Sequence, residues 1–435
     1  MKKIKKMVLI GGLVAALAGC GSGGGGDSEG GGGISTSGDD VVVFAWNDLG
    51  MHCLNPSYDK AVILPPYNTV WAQVVERGNP PKIVTAGYTV EYSLVNNTSS
   101  SDKGLYGQFW DNAMKLFGVN LANDVGLTGS TLSGTMRAEG DHFQVDGIPV
   151  VPVDDDGMWN PYQVIEVKVK DSGGIVVATT KATVPTSDEI DCGKCHGADP
   201  FADIIAKHDE EESTSLAAAA PLLCANGETG CHVSPGLGQS MVSGATYLSQ
   251  AVHSFHASVD SPPSCYDCHP GELTQCSRSI SHTDEDGGCT NLNCHGSLAN
   301  VGSSISSGRV PWVEEPKCAN CHSASIAEVD TGTTLYRNAR GHGGISCPSC
   351  HGSPHAMIPS LEPSDNYQAM QYQGKALTLG SCAVCHSSSR GKGLDEFYEH
   401  HGGTNPDRYI ACHICHTAVS ADADNWPHSY EWNAR

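Results

Sequence analysis

The sequence predicts two unlike parts in series: an all-β, sandwich-like domain over residues 41–185, then a loop-rich domain with short helices over residues 186–435. Three observations carry this reading. Apolar and polar residues alternate with a period of two in the first part. A pentapeptide, Cys-x-x-Cys-His, recurs through the second, and residues 1–40 look like a leader followed by a tether.

The leader comes first. Lys2, Lys3, Lys5 and Lys6 form a basic patch, residues 7–17 are apolar, and the segment ends Leu17-Ala18-Gly19-Cys20. A signal peptide over residues 1–19 is expected, because the apolar run is too short to cross a bilayer. Its end resembles a bacterial lipoprotein cleavage box, which implies that Cys20 is acylated and anchors the protein to a membrane. Gly21, where a retained lipoprotein carries Asp, implies the outer membrane by the same resemblance. Residues 20–40 are nearly all Gly, Ser and Asp, with nothing to bury, and read as a flexible tether. The full chain has a formal charge of −23, and loss of the four leader lysines takes it to −27. Nucleic acid is thereby disfavoured as a partner, whereas basic redox partners and metal cations are favoured.

Within 41–185, Ile165, Val167 and Val169 alternate with Glu166, Lys168 and Lys170, residues 171–174 form a turn, and residues 175–184 return. This is a hairpin with one buried face. Residues 41–46, 69–75, 82–95 and 147–153 read as further strands, and an amphipathic helix is expected near 109–117. About 145 residues of this kind suggest two packed sheets. One stretch stands apart: Asn47-Asp48-Leu49-Gly50-Met51-His52-Cys53. Met, His and Cys are soft metal ligands, but neighbours on a strand point to opposite faces. A structural role, with Cys53 buried or bonded to Cys276, is the alternative to a metal or haem role.

The pentapeptide occurs six times: Cys192/Cys195/His196, Cys265/Cys268/His269, Cys318/Cys321/His322, Cys347/Cys350/His351, Cys382/Cys385/His386 and Cys412/Cys415/His416. Each reads as a haem c attachment site. Two thiols two residues apart add to the two vinyl groups of a haem edge, and the following histidine then lies beneath the iron as proximal ligand. Zinc knuckles need a second ligand pair at a regular offset, and disulfides need no trailing histidine. Eight proximal histidines within residues 196–416, once two widened sites described below are counted, leave little chain per haem. The cofactors must then form much of the core.

Residues 192–416 resemble the multihaem c-type cytochromes of the outer surface of metal-respiring bacteria, most closely in GHGGISCPSCHGSPHA at 341–356. Widened attachment motifs occur in that family. The resemblance therefore implies two more haems, at Cys289/Cys294/His295 and Cys224/Cys231/His232, against the alternative of disulfides with exposed histidines. It also implies electron delivery from a lipid-anchored protein of the outer membrane, at the cell surface, to other redox proteins or cytochromes, extracellular metal oxides or quinones. Some relatives polymerise through a donated histidine; the lipid anchor and the β domain make that less natural here.

Twelve histidines remain, enough to give every iron a second one. His208 follows Phe201, Ile204 and Ile205 at helical spacing, His256 follows Leu248, Val252 and Phe255, and His401 follows Leu394, Phe397 and Tyr398. These three lead as distal ligands. His253, His282, His342, His355 and His428 are further candidates, and His355, four residues from His351, is expected to reach a neighbouring haem. With histidine on both faces, low potentials follow.

Two rival readings are an octahaem reductase of nitrogen or sulfur oxyanions, which keeps an iron open or replaces its proximal histidine by lysine, and a surface-binding β module with accessory haems. Cys-x-x-Cys-Lys does not occur in the sequence. The anchor is tested by metabolic labelling: the wild-type chain should incorporate labelled palmitate and sediment with membranes, and Cys20→Ala should do neither.

Overall fold

A computed structural model describes residues 40–386, apart from 79, 228–230, 272, 283–287 and 328–333. The leader, Cys20, the tether, the helix expected at 394–401, and Cys412, Cys415, His416, His401 and His428 lie outside the described residues.

Residues up to 187 are β-rich. Their strands are β1 (Val41–Asn47), β2 (His52–Cys53), β3 (Ala61–Val62), β4 (Asn68–Glu76), β5 (Lys82–Val84), β6 (Thr89–Val95), β7 (Ser133–Thr135), β8 (Arg137–Glu139), β9 (His142–Ile148), β10 (Val164–Lys170), β11 (Val176–Thr183) and β12 (Thr186–Ser187). One antiparallel sheet runs β1-β4-β9-β8, with β5 also on β4, and a second runs β11-β10-β6-β7. The alternation read in β10 is realised: Ile165, Val167 and Val169 are buried, facing Val43, Ala45, Val70, Ala72 and Val145 of the other sheet in one shared core. The hairpin turn is fixed by Asp171, whose Oδ1 accepts the amides of Gly173 and Ile175, both at 2.9 Å. Helix α1 (Gln108–Phe117) packs Phe109, Trp110 and Leu116 into a second cluster with Tyr58 and Val62.

Two strand expectations change. Residues 82–95 are not one strand but two: β5 pairs with β4 while β6 pairs with β10, and Gly87 turns the chain between sheets at φ +85°. The strand expected at 147–153 ends at Ile148. The β4–β9 register shifts there, and Pro149 and Pro152 have no amide to donate to a ladder. Val150 and Val151 stay buried but outside the sheet.

Beyond residue 187 the chain has the two-residue strand β13 (Leu222–Leu223), beside β3, and short helices: α2 (Gly193–His196), α3 (Pro200–Glu212), α4 (Leu248–Ala257), α5 (Leu298–Ser306), α6 (Ala324–Ala327), α7 (Cys347–His351) and α8 (Tyr367–Gln373). Asp199 caps α3 by accepting the Ala202 amide at 3.2 Å, with Pro200 in the first turn. Buried apolar side chains are sparse here, and Phe255, Leu273, Leu292 and Val313 are 57, 72, 80 and 52 % exposed.

The two regions are locked together along β1. Val41, Val43 and Ala45 face the inter-sheet core, whereas Val42, Phe44 and Trp46 face Tyr372 of α8 and Val384. β1 is also an edge strand, and α8 covers that edge with side chains. Gln368 accepts from the Ala45 amide at 3.0 Å and donates to the Ala45 carbonyl, and the Tyr372 hydroxyl bonds to both backbone groups of Val43.

A second lock lies inside the later region. Arg278 and Asp365, 1 % and 5 % exposed, meet through two hydrogen bonds of 2.7 and 3.1 Å. Around them Arg278 accepts the Leu361 amide at 2.7 Å and gives its own to the His355 carbonyl at 2.6 Å. Removing one partner leaves the other buried and uncompensated. Asp365→Ala should therefore lower unfolding stability by about 3–5 kcal/mol, and the apolar double variant Arg278→Met/Asp365→Leu by much less, measured by denaturant titration.

Candidate cofactor-binding site

Each described Cys-x-x-Cys-His motif is one helical turn. In four of them the carbonyl of the first cysteine accepts the amide of the second and that of the histidine: Cys192, Cys265, Cys318 and Cys382 take the histidine amides at 2.8–2.9 Å. The fifth described motif, at Cys347, is α7 itself. Residues i, i+3 and i+4 of a helical turn share a face, so two sulfurs and one imidazole lie on one side. The widened motif at His295 keeps the turn with a different opener: the Asn291 carbonyl accepts the Cys294 and His295 amides at 2.9 and 3.1 Å, and Cys289 lies two residues before it. Cys224 and Cys231 flank residues outside the description.

The turns form a file. Lys194 bonds Asp267 at 3.2 Å, the Cys289 thiol contacts the Tyr266 hydroxyl at 3.8 Å, Asn320 donates to the Asn293 carbonyl at 2.9 Å, and Leu379 donates to the Cys350 carbonyl at 2.9 Å. Tyr336, between the Cys318 and Cys347 turns, donates its hydroxyl to the Gly352 carbonyl at 2.9 Å.

Histidines meet across these turns in twos. His196 faces His256 at a ring-centre separation of 6.4 Å, His232 faces His208 at 6.4 Å and His269 faces His253 at 6.2 Å. His322 faces His282 at 6.3 Å, His295 faces His355 at 6.2 Å and His386 faces His342 at 6.2 Å. Each pair joins a motif histidine to one of the distal candidates. α4 serves two turns, with His253 on one and His256 on the other. That explains why its apolar stripe is not buried and why Phe255 stands exposed: the helix faces the motif turns rather than an apolar core. His355 meets His295 of a neighbouring turn rather than its own His351.

The spacing is chemically specific. Two imidazoles bound to one ion from opposite sides, each nitrogen about 2 Å from the metal, set ring centres roughly 6.3 Å apart, whereas stacked rings sit closer. Ring orientation agrees. The Nδ1 atoms of His253 and His256 contact the carbonyls of Ser249 and Val252 at 2.6 and 2.8 Å. Those of His208 and His232 contact the hydroxyls of Thr214 and Thr246 at 3.1 and 2.9 Å, and that of His196 contacts Asp203 at 2.7 Å. With Nδ1 engaged, Nε2 is left to face the opposing ring. Burial, and then the charge of the partner ring, pushes His295 and His386 down to about 4, so both imidazoles are neutral, the form that ligates iron. Among the described residues no group of three or more His, Cys, Asp or Glu converges on a point. A pair with two flanking sulfurs fits an iron whose four in-plane donors come from a macrocycle.

The β-region histidines are held differently. His52 turns Nε2 to Asp48 at 2.9 Å, and His142 stacks on Trp71 with ring centres 4.5 Å apart and contacts Asp141 at 3.0 Å. Reading the sequence missed the groups that hold Nδ1. Asp203 stands seven residues after His196 on the next helix, a spacing visible in the sequence, whereas a backbone carbonyl acceptor such as that of Ser249 leaves no signal there.

No protein-family model, curated protein or solved structure matches the chain. Among the described residues no helix is long and apolar enough to cross a membrane.

Cys53 and Cys276 stand outside the motifs as half-buried free thiols. Burial, with the charge of Cys276 added, pushes Cys53 far up, and burial pushes Cys276 to about 11. In the folded protein at pH 8, maleimide should label both about tenfold or more slowly than in the unfolded chain, read by peptide mass spectrometry.

Proposed function

We propose that this chain is an electron-transfer multihaem c-type cytochrome, a lipid-anchored protein of the outer membrane in which a sandwich-like domain precedes a haem domain from about residue 186. The observation that carries the reading is the set of six histidine pairs at 6.2–6.4 Å, four of them beside a cysteine pair on one helical turn. Cys192 and Cys195, Cys265 and Cys268, Cys318 and Cys321, Cys347 and Cys350, Cys382 and Cys385, and Cys412 and Cys415 would hold haem covalently, as would Cys289 with Cys294 and Cys224 with Cys231. Haem so bound supplies a one-electron iron couple.

The chain supplies the rest. In each pair both imidazoles would hold the haem iron, and hydrogen bonds of Nδ1 fix six of the twelve rings: His196, His208, His232, His253, His256 and His355. The links between successive turns, none longer than 3.8 Å, keep the sites adjacent, which suits transfer from one to the next. Extracellular metal oxides, quinones and other cytochromes are the acceptors that the family resemblance supports. A reductase needs an iron with an open face, and the six pairs argue against one at those sites.

Pyridine haemochrome titration of the mature protein should return eight haems per chain, where six would reject both widened motifs. The ferric spectrum should be low-spin throughout, with no turnover of nitrite or tetrathionate.

A further inference from the structure

The stretch Asn47-Asp48-Leu49-Gly50-Met51-His52-Cys53 is a sequence feature that the proposed function leaves unused. It leaves β1 and turns sharply. Oδ1 of Asn47 accepts the amides of Leu49 at 3.1 Å and Gly50 at 2.6 Å, while its Nδ2 donates to Asn68 Oδ1 at 2.6 Å and to the Thr69 carbonyl at 3.0 Å. Asn68 in turn donates to Pro185 and Thr186 at 3.2 and 2.9 Å. Asn47 and Asn68 are both buried, so the turn is built into the β region rather than hung from it.

Its tip presses on the segment that carries His355. Gly50 lies at φ +81°, and a Cβ there would stand 1.6 Å from the Pro354 carbonyl oxygen, so only glycine fits. Beside it the Leu49 carbonyl accepts from His355 Nδ1 at 3.4 Å, a longer contact than His253 and His256 make. His355 itself has left-handed backbone at φ +60°, its carbonyl takes the Arg278 amide at 2.6 Å, and its ring lies 6.2 Å from that of His295 at an interplanar angle of 19°. Met51, His52 and Cys53 form the stem. Met51 and His52 are buried, His52 spends Nε2 on Asp48, and β2 pairs with β12.

We infer that the turn at 47–50 is a positioning element for His355: the Leu49 carbonyl accepts a hydrogen bond from Nδ1–H, and Gly50 admits the close approach, so that Nε2 is presented to the site at His295. The ligand-like side chains of the stretch act as its foundation. This rests on the haem reading above, since only a bound iron gives the orientation of Nε2 a function.

The test uses the full-length, haem-loaded protein. Haem per chain, ferric electron paramagnetic resonance and potentiometric titration are compared for wild type, His355→Ala and Gly50→Ala. His355→Ala identifies the signal of the haem at His295. Gly50→Ala should keep the wild-type haem count and change that same signal and its midpoint, leaving the other haems unmoved. If Gly50→Ala does not accumulate, Asn47→Ala removes the acceptor that folds the turn without adding a clash and is read in the same way. An unchanged spectrum in the turn variant, or a change confined to a different haem, overturns the inference. Wild-type protein lacking haem overturns the underlying reading as well, and the haem count alone separates that failure from the first.

Discussion

An imidazole has two nitrogens, and engaging one decides what the other does. Five of the paired histidines engage Nδ1 with a carbonyl, a hydroxyl or a carboxylate at 2.6–3.1 Å, and His355 does so at 3.4 Å. In two pairs, His196–His256 and His208–His232, both rings are held in this way. The i−4 carbonyls used by His253 and His256 are available only on a helix, which is why α4 persists although it buries no side chain fully. Helical propensity and apolar packing do not account for that helix; two backbone-anchored rings, three residues apart and directed at different turns, do.

The scarcity of apolar core beyond residue 187 is the complementary constraint. A region with exposed leucines and few buried neighbours cannot offset the conformational entropy of ordering its chain by side-chain burial alone. Part of its support comes from the β region, through β1 with its two buried faces and through the polar edge contacts of α8. Gln73, fully buried in β4, adds to this by accepting the Ser346 amide at 3.0 Å just before α7. The proposed haems would provide the remainder, because each large apolar macrocycle would lie against those same leucines.

Periodicity revealed the β10–β11 hairpin and α1, because one-sided burial leaves a clean pattern. It failed where the chain changes sheet at Gly87 and where the ladder stops at Ile148, since a crossover and a bulge are set by partners distant in sequence. Candidate ligands were legible for a different reason: their chemistry demands fixed residue types at fixed spacing. Which histidine meets which was not legible in the same way. The His208–His232 separation in sequence is short, but His355 crosses back to His295 and His342 reaches forward to His386, pairings that depend on how loops fold. The widened motif at His295 shows the limit of spacing rules, because Asn291 supplies the carbonyl that the first cysteine supplies elsewhere.

Contacts between the regions also decide how the β region should be regarded. A detachable binding module would touch the later region over a linker and a small polar interface. Here the Arg77 guanidinium donates to the Ala383 carbonyl at 2.8 Å and the Gly78 amide to the Cys385 carbonyl at 3.2 Å, so the turn carrying His386 is bonded directly to the end of β4. The Leu49 carbonyl reaches His355, and Glu189, just past β12, accepts the amides of Leu273 and Thr274 at 2.8 and 2.7 Å. Cutting the chain near residue 185 would therefore not release an intact row of sites. It would remove the surface on which several of them are set, so any binding role of the β region has to be sought by point substitution on its exposed face.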